Sequence, residues 1–122
     1  MSEKLNKLPG EAYTKTIHAR FWLTGNDNYI GIGRITLLEN IEKLGSMNAA
    51  AKEMKMSYKK AWKLVDEMNR TYDVPLVIKV QGGKAGGGTQ LTDNGRAVIK
   101  KFRSLEVKLS AFLKKEAKDL GL

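Results

Sequence analysis

A chain of 122 residues, 42% hydrophobic and 29% charged, has the balance of one globular domain with a single modest core. Its 22 Lys and Arg against 13 Asp and Glu leave a formal net charge of +9, an excess that favours an anionic partner, nucleic acid ahead of a membrane surface. There is no cysteine and only one histidine, His18, which excludes a disulfide framework, a thiolate metal site and a histidine-rich metal centre.

In chain order, residues 1–15 lack apolar periodicity and include Pro9-Gly10, so they read as a loose arm. From Thr16 the pattern alternates, with Ile17, Ala19, Phe21 and Leu23 on one face and His18, Arg20 and Trp22 on the other. Gly25-Asn26-Asp27-Asn28 is a turn signal, and Tyr29–Ile32 returns as a second strand, giving a hairpin over 16–32. His18 falls on its outer face. Arg34 to Leu44 has the spacing of a first helix, its stripe being Ile35, Leu38, Ile41 and Leu44. Gly45 stops it, and Ser46 offers the N-cap of a short second helix that runs to about Met54. Ser57 caps a third helix to about Tyr72. After Pro75, Leu76–Val80 reads as a strand, the glycine-rich run Gln81–Thr89 as a hairpin tip, and Thr89-Gln90-Leu91 as the start of the return. Thr92 caps a final long helix from Asp93 to about Asp119. The fold class is therefore α+β, a winged helix-turn-helix with an N-terminal hairpin and a long C-terminal helix.

Two helices crossing steeply over a short turn need a small residue where they touch and apolar residues around it. Ala51 supplies the first, and Ala50, Met54 and Met56 the second. Ala61, Leu64, Val65 and Met68, spaced i, i+3, i+4, i+7, form the buried stripe of the third helix. Lys59, Lys63, Asp66 and Arg70 then point away from it, with Tyr58, Trp62 and Asn69 on one flank and Lys60 and Glu67 on the other. A helix in the major groove reads bases with its first two turns, which brings Tyr58, Lys59, Trp62 and Lys63 nearest the base edges and Asp66 deeper along the same face. Ser46, Ser57 and the N-terminal amides of both helices can meet phosphates. The bland alternatives are that Tyr58 and Trp62 merely cover the core edge and that the lysines are simply solvated. The turn departs from the usual pattern at Lys55, where a left-handed backbone favours glycine.

Glycine amides cradle phosphates in P-loops, but that motif ends in Gly-Lys-Ser/Thr at a helix mouth. Here Lys84 precedes the glycines and the run leads into a strand, so a wing with Lys84 reaching a phosphate or the minor groove is the better reading. On the last helix Val98, Phe102, Leu105, Leu109 and Phe112 repeat at alternating spacings of four and three, a seam suited to a second helix. The sequence thus predicts a dimer interface there, the alternative being packing on the chain's own core.

Several motifs occur in one order: Gly33-Arg34, Gly45-Ser46, Met56-Ser57-Tyr58-Lys59-Lys60-Ala61-Trp62, Asp66-Glu67-Met68-Asn69, Pro75-Leu76-Val77, Gly82-Gly83-Lys84-Ala85-Gly86-Gly87-Gly88 and Leu91-Thr92-Asp93-Asn94-Gly95. From about Arg20 to Glu106 the chain closely resembles the N-terminal DNA-binding domain of ModE-type, molybdate-responsive transcriptional regulators, whose winged helix is related to that of LysR-type regulators. The resemblance implies that the Ser57–Trp62 element belongs to a recognition helix, that the glycine run is the wing, and that hairpin and long helix build a dimer. Members of the family continue into a molybdate-binding C-terminal domain. This sequence ends at Leu122, so the expectation is DNA binding without that domain, and molybdate binding is left unsupported.

The expected function is sequence-specific binding of double-stranded DNA by a homodimeric, cytoplasmic transcriptional regulator with no cofactor, no metal and no membrane contact. Two alternatives stay open: a winged-helix module that binds protein, and a regulator sensing a small effector at its dimer interface. One His, no Cys and no motif-placed carboxylate pair argue against an enzyme.

Overall fold

The structure, a computed structural model, describes residues 14–80 and 88–122. Its elements run β1 (Leu23–Thr24), β2 (Tyr29–Ile30), α1 (Ile32–Leu44), α2 (Met47–Glu53), α3 (Tyr58–Asn69), β3 (Val77–Val80), β4 (Gly88–Leu91) and α4 (Asp93–Asp119). Contacts divide the chain into two units, Arg20–Leu105 and, of the described residues, 14–19 with Glu106–Leu122.

In the unit Arg20–Leu105, α1 is the central element and packs against α2, β2 and β4. That position explains why Ile35, Leu37, Leu38 and Ile41 are all fully buried, on more than one face of the helix. Leu37 lies off the expected stripe, and Leu44, which belongs to it, is exposed because it closes the last turn. α3 supplies Ala61, Val65 and Met68 to the same core, with Leu64 partly buried against it. β3, β4 and α4 add Val77, Leu91, Val98 and Phe102. Each large apolar side chain so buried contributes about 1.5–3 kcal/mol before entropy is counted.

Helix boundaries follow the capping chemistry of the sequence. Gly45 ends α1 at φ 69, a left-handed cap that returns its N–H to the Ile41 carbonyl. The Ser46 hydroxyl accepts from the Ala49 N–H at 3.1 Å, and the Ser57 hydroxyl from the Lys60 N–H at 3.0 Å. The Thr92 hydroxyl accepts from the Gly95 N–H at 3.0 Å and starts α4. α3 is shorter than its periodicity predicts: Arg70 is its C-cap, and Tyr72 lies beyond it.

The N-terminal hairpin is also shorter than the alternation predicts. Leu23 pairs with Ile30 and Thr24 with Tyr29, and the ladder ends there. The next positions across from Trp22 and Phe21 would be Gly31 and Ile32, where the chain already enters α1. Its turn docks on the end of α3, through a Thr71–Asn28 side-chain hydrogen bond and an Arg70–Asp27 ion pair at 3.9 Å. The second sheet is antiparallel, with Val77 opposite Leu91, Ile78 opposite Gln90, Lys79 opposite Thr89 and Val80 opposite Gly88. The expected tip over 81–87, including Lys84, lies outside the described residues.

In the unit of 14–19 and Glu106–Leu122, the distal part of α4 closes through Gly121 at φ 81, with the Leu122 N–H donating to the Ala117 carbonyl at 2.9 Å.

Candidate nucleic-acid interface

The α2–α3 corner is built around Ala51, which is 2% exposed and whose carbonyl accepts from the Met56 N–H at 3.0 Å. A bulkier residue there would force the two helices apart. Lys55 takes up the left-handed conformation that the turn demands, at φ 56. Among the described residues it is the one non-glycine residue at positive φ, and such a backbone costs an L-residue about 1–2 kcal/mol.

With Ala61, Val65 and Met68 turned inward, Lys59, Lys63, Asp66 and Arg70 are exposed on the opposite face of α3. Tyr58 is 52% exposed beside them, and Lys60 is exposed on the other flank. Tyr58, Lys59, Trp62, Lys63, Asp66, Glu67 and Arg70 line one shallow, open groove along the helix. Ser46 and Ser57 spend their hydroxyls on capping. The Ser57 cap satisfies the third amide of α3, and those of Tyr58 and Lys59, ahead of it, have no intrahelical acceptor.

Trp62 is only half-buried, but it packs on the core and its indole Nε1 is sealed from solvent without a hydrogen-bond partner. The Lys79 ammonium from β3 sits over its ring, 4.7 Å from the centroid, an arrangement worth about 0.5–1 kcal/mol at an exposed site. Arg34 is held between Glu67, at 2.8 Å, and the Tyr29 ring, at 4.5 Å from the centroid, so α1, α3 and β2 meet at one guanidinium.

Four residues of this region escape the pattern of the sequence. Asn69 reads as one more polar residue on a helix flank, yet its side chain braces β3. Lys79 reads as an ordinary strand residue, and its approach to Trp62 depends on tertiary packing. Arg34 and Glu67 lie 33 residues apart, and no local spacing links them.

The α4 seam needs one correction. Val98 is 7% exposed and Phe102 1%, and both belong to the chain's own core, Phe102 packing on Phe21 with ring centroids 4.6 Å apart. Leu105 and Leu109 are half-buried, whereas Phe112 is 59% exposed. Among the described residues no group of His, Cys, Asp or Glu is placed to hold a metal ion. Among the same residues no helix is long and apolar enough to cross a membrane.

A helix-turn-helix followed by a two-stranded wing and a long helix defines a winged-helix protein. Residues 32–96 match the family described as bacterial regulatory helix-turn-helix protein, lysR family, and the chain belongs to that family. It is 51% identical over 80 residues to the molybdenum transport protein ModE of Azotobacter vinelandii, a match covering 66% of this chain and 30% of that protein. It is 40% identical over 93 residues to the molybdenum-pterin-binding protein MopB of Rhodobacter capsulatus, covering 76% of this chain and 34% of MopB. The DNA-binding transcriptional dual regulator ModE of Escherichia coli K12 is 40% identical over 80 residues, covering 65% of this chain and 30% of its own. The resemblance to ModE-type regulators drawn from the motifs is therefore borne out, although the chain spans only about a third of the length of these relatives. The fold also matches a chain of the crystal structure of the CbnR_DBD–DNA complex, with TM-score 0.52 and 18% identity over 74% of this chain and 97% of that one.

Proposed function

We propose that this chain is a cytoplasmic transcriptional regulator of ModE type that binds double-stranded DNA sequence-specifically, as a homodimer, with α3 in the major groove. The observation that carries this reading is the exposed pair Lys59 and Lys63 on the first two turns of α3, facing away from the core stripe. Lysine ammonium groups donate to guanine O6 and N7, the Tyr58 hydroxyl can donate or accept, and the Asp66 carboxylate can accept from cytosine N4. Asp66 repels phosphate, so it adds discrimination rather than general affinity. Ser46, Ser57 and Lys60, the open amides of α3 and Lys84, which lies outside the described residues, hold phosphates and fix register without reading sequence. Leu105, Leu109 and Phe112 supply the surface through which two copies pair, which suits an operator of two half-sites. The names of the E. coli relative and of the CbnR structure, which state DNA binding, support the reading.

The test is selection from a randomised duplex library, followed by fluorescence anisotropy of the enriched and scrambled duplexes across a salt series. An enriched two-fold symmetric sequence is expected, with log affinity falling linearly against log salt. Recovery of no sequence preference, with binding indifferent to salt, would overturn the proposal and favour a protein-binding module.

A further inference from the structure

We infer that Lys79 on β3 is a DNA-phosphate contact held in position by the indole of Trp62, and that Trp62 acts as its platform rather than as a reader of bases. This rests on the proposal that α3 enters DNA. Indole has a single hydrogen-bonding group, the Nε1–H donor, and in Trp62 that atom is sealed beneath the surface. The side chain thus presents no polar edge to a base pair, although it sits one residue before Lys63 and three after Lys59 on the exposed helix. What it does present is a ring, and the Lys79 ammonium lies over that ring at 4.7 Å.

Lys79 is exposed, and among the described residues no carboxylate lies within ion-pair distance of it. A cation resting on a π face keeps its donors free on the outer side, and a phosphate oxygen is the acceptor that a groove-bound α3 would bring nearby. The stacking also removes the freedom of a four-carbon stem before DNA arrives, so less order has to be created on binding. β3 is the first strand of the wing, so Lys79, seated on Trp62, adds a wing cation beside those of Lys59 and Lys63 on α3. Trp62 is in this sense a positioning residue, and Lys79 the group that meets the phosphate.

The test uses the whole chain and the duplex recovered by selection, with a scrambled duplex as control. Lys79→Gln should make the slope of log affinity against log salt shallower by about 0.9, as when one phosphate ceases to be neutralised. The weakening should be equal on the enriched and scrambled duplexes, and should shrink about 3.5-fold between about 50 and 200 mM salt. Trp62→Leu should reproduce the shallower slope, Trp62→Phe, which keeps a π face, should retain the wild-type slope, and Trp62→Leu with Lys79→Gln should be no worse than either alone. A wild-type slope in Lys79→Gln, or additive effects in the double variant, would overturn the inference. So would a changed base preference in Trp62→Phe. Should Trp62→Leu prove unfolded by circular dichroism, Lys79→Gln and Trp62→Phe decide the matter alone. Failure of the wild-type chain to bind any duplex would instead sink the parent proposal, which separates the two outcomes.

Discussion

Asn69 and Val77 exchange hydrogen bonds in both directions: the Asn69 Oδ1 accepts from the Val77 N–H at 3.2 Å, and its Nδ2 donates to the Val77 carbonyl at 3.1 Å. The same Oδ1 accepts from the Leu76 N–H at 2.8 Å. The side-chain amide at the end of α3 thus takes the part of a neighbouring strand for the first residues of β3, fixing where the wing leaves the helix. Leu76 and Val77 are buried, so water cannot replace this partner. Asn69→Ala should cost about 2–3 kcal/mol in a urea melt followed by circular dichroism, because two buried N–H groups lose their acceptor. A cost below about 0.5 kcal/mol would show that the strand base is held by other means.

Gly95 lies in the first turn of α4 against the backbone of Leu76, just before β3. A Cβ there would come within 2.3 Å of the Leu76 carbonyl oxygen, a clash that only a backbone shift could relieve. Gly95→Ala is expected to destabilise by about 1–3 kcal/mol. Gly33→Ala is its counterpart, because a Cβ at Gly33 in α1 meets nothing within 4 Å. That change should stabilise by about 0.4–1 kcal/mol, chiefly through the unfolded chain. Denaturant midpoints of the two variants should move in opposite directions.

Lys55 in the α2–α3 turn makes a graded prediction. Glycine removes the left-handed strain but adds freedom to the unfolded chain, so Lys55→Gly should match or exceed the wild-type melting temperature. Lys55→Val should be less stable than wild type by more than about 1 kcal/mol, since a β-branched side chain tolerates positive φ least. A Val variant as stable as wild type would mean that the turn relaxes to another conformation.

Lys63 faces away from the core, so reversing its charge tests the interface without touching the fold. Lys63→Glu should keep its stability within about 0.5 kcal/mol of wild type. Its affinity for the selected duplex at low salt should fall about tenfold or more, since one attraction is removed and one repulsion is added. Unchanged anisotropy curves would remove Lys63 from the proposed interface.

The proposed pairing surface on α4 is tested at Phe112, which is 59% exposed. By light scattering the wild-type chain should have twice its 13.6 kDa monomer mass, and Phe112→Asp should return it to one. A wild-type mass of 13.6 kDa at micromolar concentration would rule out a stable homodimer of this chain.

The order of elements is legible in the sequence because each boundary is signalled locally, by Gly45, Ser46, Ser57 and Thr92, and each helix by its stripe. The turn conformation at Lys55 is legible too, from the geometry that a helix-turn-helix imposes. What escapes is decided by distant neighbours. Alternation from Ile17 to Leu23 promises a long strand, but pairing needs a partner, and the entry into α1 after Gly31 leaves none opposite. Heptad spacing on α4 does not say which residues meet the chain's own core and which face outward, and Val98 and Phe102 are buried in that core, Phe102 against Phe21. Periodicity also reports the direction of the Trp62 side chain and not the burial of its Nε1.

Thr92 completes what Asn69 begins. Its hydroxyl lies 2.7 Å from the Pro75 carbonyl, its N–H donates to the Leu76 carbonyl at 2.9 Å, and the hydroxyl also starts α4. Both feet of the wing are therefore bolted to helices by bonds that do not involve residues 81–87. Asn69, the Leu76–Val77 backbone and Thr92 thus form a single clamp, so that loosening any one of them should free the strand pair from α3 and α4 alike.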